Sequence, residues 1–191
     1  FILPLLRVGG MSFFRMESSD NSSDRPFARL ASFTHAFLGI YILMTITCTI
    51  AYKMGGMTTF NAVNHAMSTV ATGGFSTHDA SFGIYQDRPL ILWTAVVFLI
   101  LGSLPFSLMI LFAVRRRLTV LRDPQIYVFL GYLLAISAAL GIYHHLRNNV
   151  PIGDALTLSF FNVTSILSTG GFATEDYTLW GPFALLLAFF A

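Results

Sequence analysis

Charge is what this sequence has least of: 11 Lys and Arg with 9 Asp and Glu make up 10% of 191 residues, where a soluble domain carries about a quarter. Apolar side chains supply 55% of the chain and the mean hydropathy is +0.70, which excludes an ordinary soluble fold and points to a lipid bilayer. A net charge of +2 leaves no basic surface of the kind nucleic acid requires, so that partner class is excluded. Cysteine is nearly absent. The lone Cys48 rules out an internal disulfide framework and a Cys-based zinc site, and its apolar surroundings assign it to packing. The first residues lack the basic start and small-residue cleavage site of a signal peptide, and Arg7 interrupts their apolar run. With an apolar stretch still running at residue 191, the chain reads as an internal piece of a longer protein.

Long apolar runs are abundant. Residues 31–52 hold one ionisable side chain with a charge in reach of neutral pH, His35, and at about 1.5 Å per residue they can cross roughly 30 Å of hydrocarbon. Residues 89–114 form a second span, opened by Pro89 and closed by Arg115, Arg116 and Arg117. Residues 126–143 form a third, residues from 178 onward begin a fourth, and residues 1–6 are the tail of an earlier one. This arrangement collects Arg7, Arg15, Arg25, Arg29, Arg115, Arg116, Arg117 and Arg122 on one side, against Lys53, Arg88 and Arg147 on the other. The first side is therefore cytoplasmic, and residues 16–26, rich in Ser, Asp and Asn, are a cytoplasmic loop.

Two segments do not cross. Residues 53–88 begin and end outside, and within them residues 58–71 are a helix-compatible run of about 21 Å, too short to span. A re-entrant half-helix fits, running directly into Thr72-Gly73-Gly74-Phe75-Ser76-Thr77. The arrangement returns downstream: residues 154–168, with Asp154 near the start as a cap, run into Thr169-Gly170-Gly171-Phe172-Ala173-Thr174. Thr72 and Thr169, Thr77 and Thr174, Asp79 and Asp176, and Ser68 and Ser165 are each 97 residues apart. The unit of span, half-helix, Thr-Gly-Gly-Phe and span is thus an internal repeat, its second half-helix about one turn longer.

Irregular backbone at membrane depth survives only when buried in protein or lining an aqueous path. Glycines without a Cβ can turn successive carbonyl oxygens toward a common axis, and a half-helix aims its partially negative C-terminus into the same cavity. Both favour a cation stripped of water. Thr72-Gly73-Gly74-Phe75 and Thr169-Gly170-Gly171-Phe172 each fit the Thr-x-Gly-aromatic start of a potassium-channel filter loop.

On these loops, and on Pro4-Leu-Leu-Arg-Val-Gly-Gly-Met11, the Tyr41 to Cys48 span, Gly56-Met57 with Phe60-Asn61-Ala62, His65-Ala-Met-Ser-Thr-Val-Ala-Thr-Gly-Gly-Phe-Ser-Thr77, Ser103-Leu104-Pro105-Phe106 and Ile166-Leu-Ser-Thr-Gly-Gly-Phe172, the sequence resembles the membrane subunit of the Trk/Ktr/HKT potassium transporter superfamily, most closely the bacterial Trk type. The resemblance covers nearly the whole chain. It implies an all-α membrane protein of repeated transmembrane helix, re-entrant pore half-helix with filter loop, and transmembrane helix modules, arranged as a pseudo-fourfold, potassium-channel-like pore. Residues 1–29 would then end a first module and form a cytoplasmic loop. Residues 30–117 would be a second module with its filter at 72–75, and residues 118–191 a third, with its filter at 169–172, truncated in its last helix. The family's hallmark is each filter's final glycine, here Gly74 and Gly171. The implied function is potassium uptake, with potassium as transported substrate held by the carbonyls of Thr72, Gly73, Gly74, Phe75, Thr169, Gly170, Gly171 and Phe172. No other cofactor is implied. Homodimerisation, a cytosolic nucleotide-binding regulatory subunit and residence in the bacterial inner membrane are implied as well. Potassium over sodium comes from the resemblance; spacing alone gives a monovalent cation.

Other readings remain beside these. A secondary transporter of another cation or small solute would use broken helices, but such folds often carry inverted repeats, and these two modules share one orientation. An enzyme ranks last because neither Thr72 nor Thr169 has a base beside it in sequence. Gly102-Ser103-Leu104-Pro105 marks a kink. His144-His145 reads as the exposed polar end of a span rather than a metal site. His78 with Asp79 and Glu175 with Asp176 follow the two loops, where they either concentrate cations at a mouth or simply solvate it.

Overall fold

The computed structural model describes residues 26–105, 124–175, 180–182 and 184. Arg7, Arg15, Arg25, Arg115, Arg116, Arg117, Arg122, Asp176, the far half of the second span and most of the segment after 178 lie outside the described residues. Residues 1–42 form one compact unit and residues 43–191 another. Of the first, the described part is helical, and its Leu38 and Ile42 are exposed. The rest concerns the second unit.

Helix α1 runs Pro26–Met54, 29 residues. Within the second unit it turns Met44, Cys48 and Tyr52, four residues apart, inward, and Leu43, Ile46, Ile50 and Met54 outward. Cys48 is fully buried, as its apolar run predicts. Helix α2, Thr59–Val70, follows after a tight turn. Thr58 caps its start, accepting a hydrogen bond from the Asn61 amide at 3.3 Å. The half-helix expected over 58–71 is therefore these 12 residues with a cap at each end. A short 3-10 turn, Ser81–Tyr85, leads to helix α3, Pro89–Ser103, with proline in its first turn. Helix α4, Pro124–Asn148, and helix α5, Ile152–Leu167, form a hairpin. Asn149 closes α4 in the left-handed region at φ 54°. Gly141 lets α5 approach closely: a methyl group there would stand 3.2 Å from the Cα of Leu156. The core between these two helices is Leu133, Ile136 and Leu140 with Val163, joined by Trp180 and Ala184.

Among the described residues there is no strand, and two stretches are long and apolar enough to cross a membrane, Thr34–Met54 and Pro124–Asn148. Beside the apolar core, the two half-helices bury polar side chains and expose large apolar ones. Helix α2 buries His65, Ser68 and Thr69 and exposes Phe60, Val63 and Met67, while α5 buries Ser159, Asn162, Thr164 and Ser165. Met54, Val128 and Leu146 are more than 70% exposed. Large apolar side chains exposed to this extent, with polar ones among the buried, suit a solvent of hydrocarbon.

At Gly102-Ser103-Leu104-Pro105 the described helix ends at Ser103, with Leu104 before Pro105 in an extended conformation (φ −68°, ψ 146°); the rest of the second span lies outside the described residues. Two expectations need correction. Asp154 is not the cap of α5, which begins two residues earlier after Pro151; it lies in the first turn, where a carboxylate still complements the helix dipole. His144 is not exposed: it is 4% accessible, stacks on Trp180 at 4.2 Å and accepts a hydrogen bond from Asn148 Nδ2. Its neighbour His145 points elsewhere and donates to the Val150 carbonyl. No metal-binding group of three such residues occurs among the described residues.

Candidate functional site

The two glycine loops start where α2 and α5 end, and both helices end alike. In α2 the Thr72 amide donates to the Thr69 carbonyl at 3.1 Å and the Gly73 amide to Ser68 at 2.7 Å. In α5 the Thr169 amide donates to Ile166 at 2.9 Å and the Gly170 amide to Ser165 at 2.7 Å. This is the paired closure of a Schellman motif, which needs its first residue past the cap in the left-handed region, a place usually given to glycine. Here threonine holds it, at φ 48° for Thr72 and 58° for Thr169. A β-branched residue there is a steric outlier worth about 1–3 kcal/mol. The final glycines follow the same rule, Gly74 at φ 69° and Gly171 at φ 73°. Eight residues in two loops thus repeat one backbone pattern: strained threonine, glycine, left-handed glycine, phenylalanine.

The loops touch. A methyl group on Gly74 would overlap the carbonyl oxygen of Gly170 and stand 3.3 Å from the Gly171 carbonyl carbon, so only glycine permits this approach. One on Gly171 meets nothing within 4 Å. The phenylalanines differ as well. Phe172 is 2% exposed and packs on Phe82 at 4.7 Å and on His65 at 6.5 Å, whereas Phe75 is 80% exposed. Ser68 Oγ accepts the Phe75 amide at 2.7 Å; the matching Ser165 hydroxyl is buried with no hydrogen-bond partner among the described residues.

Helix α3 supports both loops. A methyl on Gly102 would stand 2.8 Å from the Val70 carbonyl oxygen and 3.3 Å from Thr72 Cγ2, and one on Gly170 would stand 2.9 Å from Leu99 Cδ2. The sequence marks Gly102 only as part of a proline break; its contact with the end of α2 could not be read there. At its other end α3 meets the start of the excursion, since Arg88 donates to the Gly56 carbonyl at 2.9 Å. Gly102 lies about 20 Å along α3 from that end, matching the roughly 18 Å length of α2. Residues 55–88 therefore leave from and return to one end of the helices.

The segments beyond the loops lock across the repeat. The Phe82 amide donates to the Ala173 carbonyl at 2.9 Å, and the Ala173 amide donates to Ser81 Oγ at 3.3 Å. Of the charged groups following the loops, Asp79 is exposed and Glu175 accepts from Trp180 Nε1 at 2.9 Å. Glu175 lines a cavity of about 650 Å³ with Asp87, Asp154, His144 and Asn148, and Asp79 does not.

Residues 1–138 match the TrkH family, described as a cation transport protein. The chain is 42% identical to the Trk system potassium uptake protein TrkI of Halomonas elongata, over 99% of this chain and 38% of that protein. It is 35% identical to the Trk system potassium uptake protein TrkH of Escherichia coli K12, over 97% of this chain and 39% of that protein. Among solved structures it resembles the crystal structure of the potassium transporter TrkH from Vibrio parahaemolyticus, with a TM-score of 0.76 and 32% identity over 99% of this chain and 38% of that one. The chain spans about two fifths of the length of the curated relatives it matches. The match to the family model over residues 1–138, more than half of the chain, makes this chain a member of the TrkH cation transport family.

Proposed function

We propose that the full-length protein takes up potassium across the bacterial inner membrane, and that Thr72, Gly73, Gly74 and Phe75 with Thr169, Gly170, Gly171 and Phe172 supply two quarters of its selectivity filter through their backbone carbonyls. The observation that carries this reading is the repeated left-handed threonine and glycine pattern in two loops whose backbones touch. Strain held twice at equivalent positions points to a function, since a plain turn would put glycine at the first site as well. The C-termini of α2 and α5 bring partial negative charge to the loops, which favours a cation. Relatives named as potassium uptake proteins make potassium the choice among monovalent cations.

In this reading residues 30–117 and 118–191 are successive modules of a pseudo-fourfold pore. Exposed Phe75 would pack on a preceding module as Phe172 packs on Phe82, and the open face of Gly171 would meet a following loop as Gly74 meets Gly170. The protein conducts ions and performs no chemistry on them. Homodimerisation and a cytosolic nucleotide-binding regulatory subunit belong to the same proposal. The test is the full-length chain in cells lacking potassium uptake, comparing wild type with Gly74→Asp and Gly171→Asp at low external potassium. Growth and rubidium influx should collapse at unchanged membrane abundance. Wild-type growth and influx in both variants would overturn the filter assignment, and Gly74→Ser should admit sodium before transport is lost.

A further inference from the structure

Each half-helix carries one fully buried side chain that reaches past its own loop, and these two side chains, His65 and Asn162, are 97 residues apart, in register with the loops themselves. His65 Nδ1 lies 2.9 Å from the Asn61 carbonyl, one turn back on α2. A carbonyl only accepts, so Nδ1 carries the proton and Nε2 of the neutral ring is an acceptor. Nε2 lies 3.0 Å from Ser76 Oγ, nearer than that hydroxyl's other acceptor, the Ser81 carbonyl at 3.4 Å, so the hydroxyl donates to Nε2, while the same oxygen accepts the His78 amide at 3.1 Å. On α5, Asn162 Nδ2 donates to the Leu158 carbonyl, again one turn back, at 2.9 Å, and to Thr174 Oγ1 at 2.7 Å. Its Oδ1 accepts the Thr174 amide at 3.2 Å. Leu158 stands 97 residues after Asn61, and Thr174 stands 97 after Thr77. In the first loop Thr77 is held from one turn earlier, donating to Asn61 Oδ1 at 3.1 Å.

The two residues share no chemistry beyond one donor and one acceptor set about a ring or an amide apart. What the repeat keeps is the attachment: each residue donates to a carbonyl one turn back on its own helix and bonds a residue just beyond the loop's phenylalanine, His65 through the Ser76 hydroxyl and Asn162 through both the hydroxyl and the amide of Thr174. His65 and Asn162 are 0% and 1% exposed, so a hydrogen bond lost there leaves a buried group on the half-helix unpaired. Every loop is thereby tied at both ends to one helix. The Schellman closure sets the threonine end, and the buried side chain sets the far end, leaving residues 73–75 of the first loop and 170–173 of the second between two fixed points. A peptide so held cannot lengthen or contract to follow a smaller ion.

We infer that His65 and Asn162 are equivalent positioning residues that set the span of the two loops and so their discrimination between potassium and sodium. The inference rests on the filter assignment above. It is tested in the full-length protein by rubidium and sodium influx, normalised to membrane abundance, for His65→Leu, His65→Asn, Asn162→Leu, and from the other end Ser76→Ala and Thr174→Val. The leucine variants should lower the rubidium-to-sodium ratio on the order of tenfold, the scale of one buried hydrogen bond. His65→Asn, which transplants the residue used on α5, should keep most of the ratio. If the leucine variants fail to reach the membrane, the small changes Ser76→Ala and Thr174→Val decide, and they should lower the ratio in the same direction. Unchanged ratios in every variant that reaches the membrane would overturn the inference. If Gly74→Asp and Gly171→Asp abolish influx in the same cells while these ratios hold, the positioning role alone has failed; if the glycine variants are also silent, the filter reading has failed with it.

Discussion

Replacing Gly102 by alanine should harm the loop at Thr72 even though it improves the helix that carries it. Inside a helix alanine is favoured over glycine by up to about 1 kcal/mol, so propensity alone predicts a gain. The structure predicts the opposite sign. The new methyl would stand 2.8 Å from the Val70 carbonyl oxygen, whereas carbon–oxygen contacts settle near about 3.3–3.6 Å, so one side must move by roughly half an ångström. Val70 is 1% exposed and is the last residue of α2, so it has nowhere to retreat, and Thr72 Cγ2 at 3.3 Å closes the other direction. Overfilling of this kind raises the energy by about 1–3 kcal/mol, which leaves a net loss of roughly 1 kcal/mol and a displaced start to the first loop. Gly131 in α4 is the internal control: the same substitution meets no atom within 4 Å and should stabilise by about 0.5–1 kcal/mol. Thermal unfolding of the purified full-length protein, with rubidium and sodium influx in cells, reads both effects. Refutation would be Gly102→Ala tracking Gly131→Ala, with a raised midpoint and unaltered ion discrimination.

Thr72→Gly and Thr169→Gly remove the strained left-handed threonines; relief of strain and the added freedom of the unfolded chain nearly cancel, so the melting midpoint should move by less than about 1 kcal/mol equivalent while the rubidium-to-sodium ratio falls. A marked stability loss without a change in selectivity would assign these threonines to the fold alone. Tyr52 and Thr69 share a fully buried hydroxyl pair at 2.8 Å, so Tyr52→Phe and Thr69→Val should each destabilise by about 1–2 kcal/mol. Combined, they should fall short of the sum by 0.5 kcal/mol or more on the order expected for contacting groups, and strict additivity in a double-mutant cycle would contradict the bond.

Local signals carried much of the fold. The 97-residue register, the limits of α2, the longer second half-helix and the glycine loops could all be read from residue types at short range, because caps, glycines and threonines act on their immediate backbone. Helix directions could not. Helices α1 and α3 are apolar on every side, so no periodicity says that Met44, Cys48 and Tyr52 face inward, or that Gly102 does. Proline gave the place of the break, and the structure adds its local form, an extended Leu104 after the last helical residue Ser103. His144 was misjudged for a related reason. At the end of a span a polar ring is expected in water, and only the fold brings Trp180 over it. The touching loops, and the grip of His65 and Asn162, needed residues about 100 positions apart to be placed side by side.

The exchange of hydrogen bonds between residues 81–82 and Ala173 sets a timetable for synthesis. At about 5–20 residues per second, the 92 residues between Ser81 and Ala173 take roughly 5 to 20 s to emerge. Throughout that interval the Phe82 amide, fully buried in the finished protein, has no Ala173 carbonyl to meet. Hydrocarbon offers it nothing. The segment around Phe82 therefore settles into its final place only when the second loop arrives, so the two are finished as a pair and not in sequence.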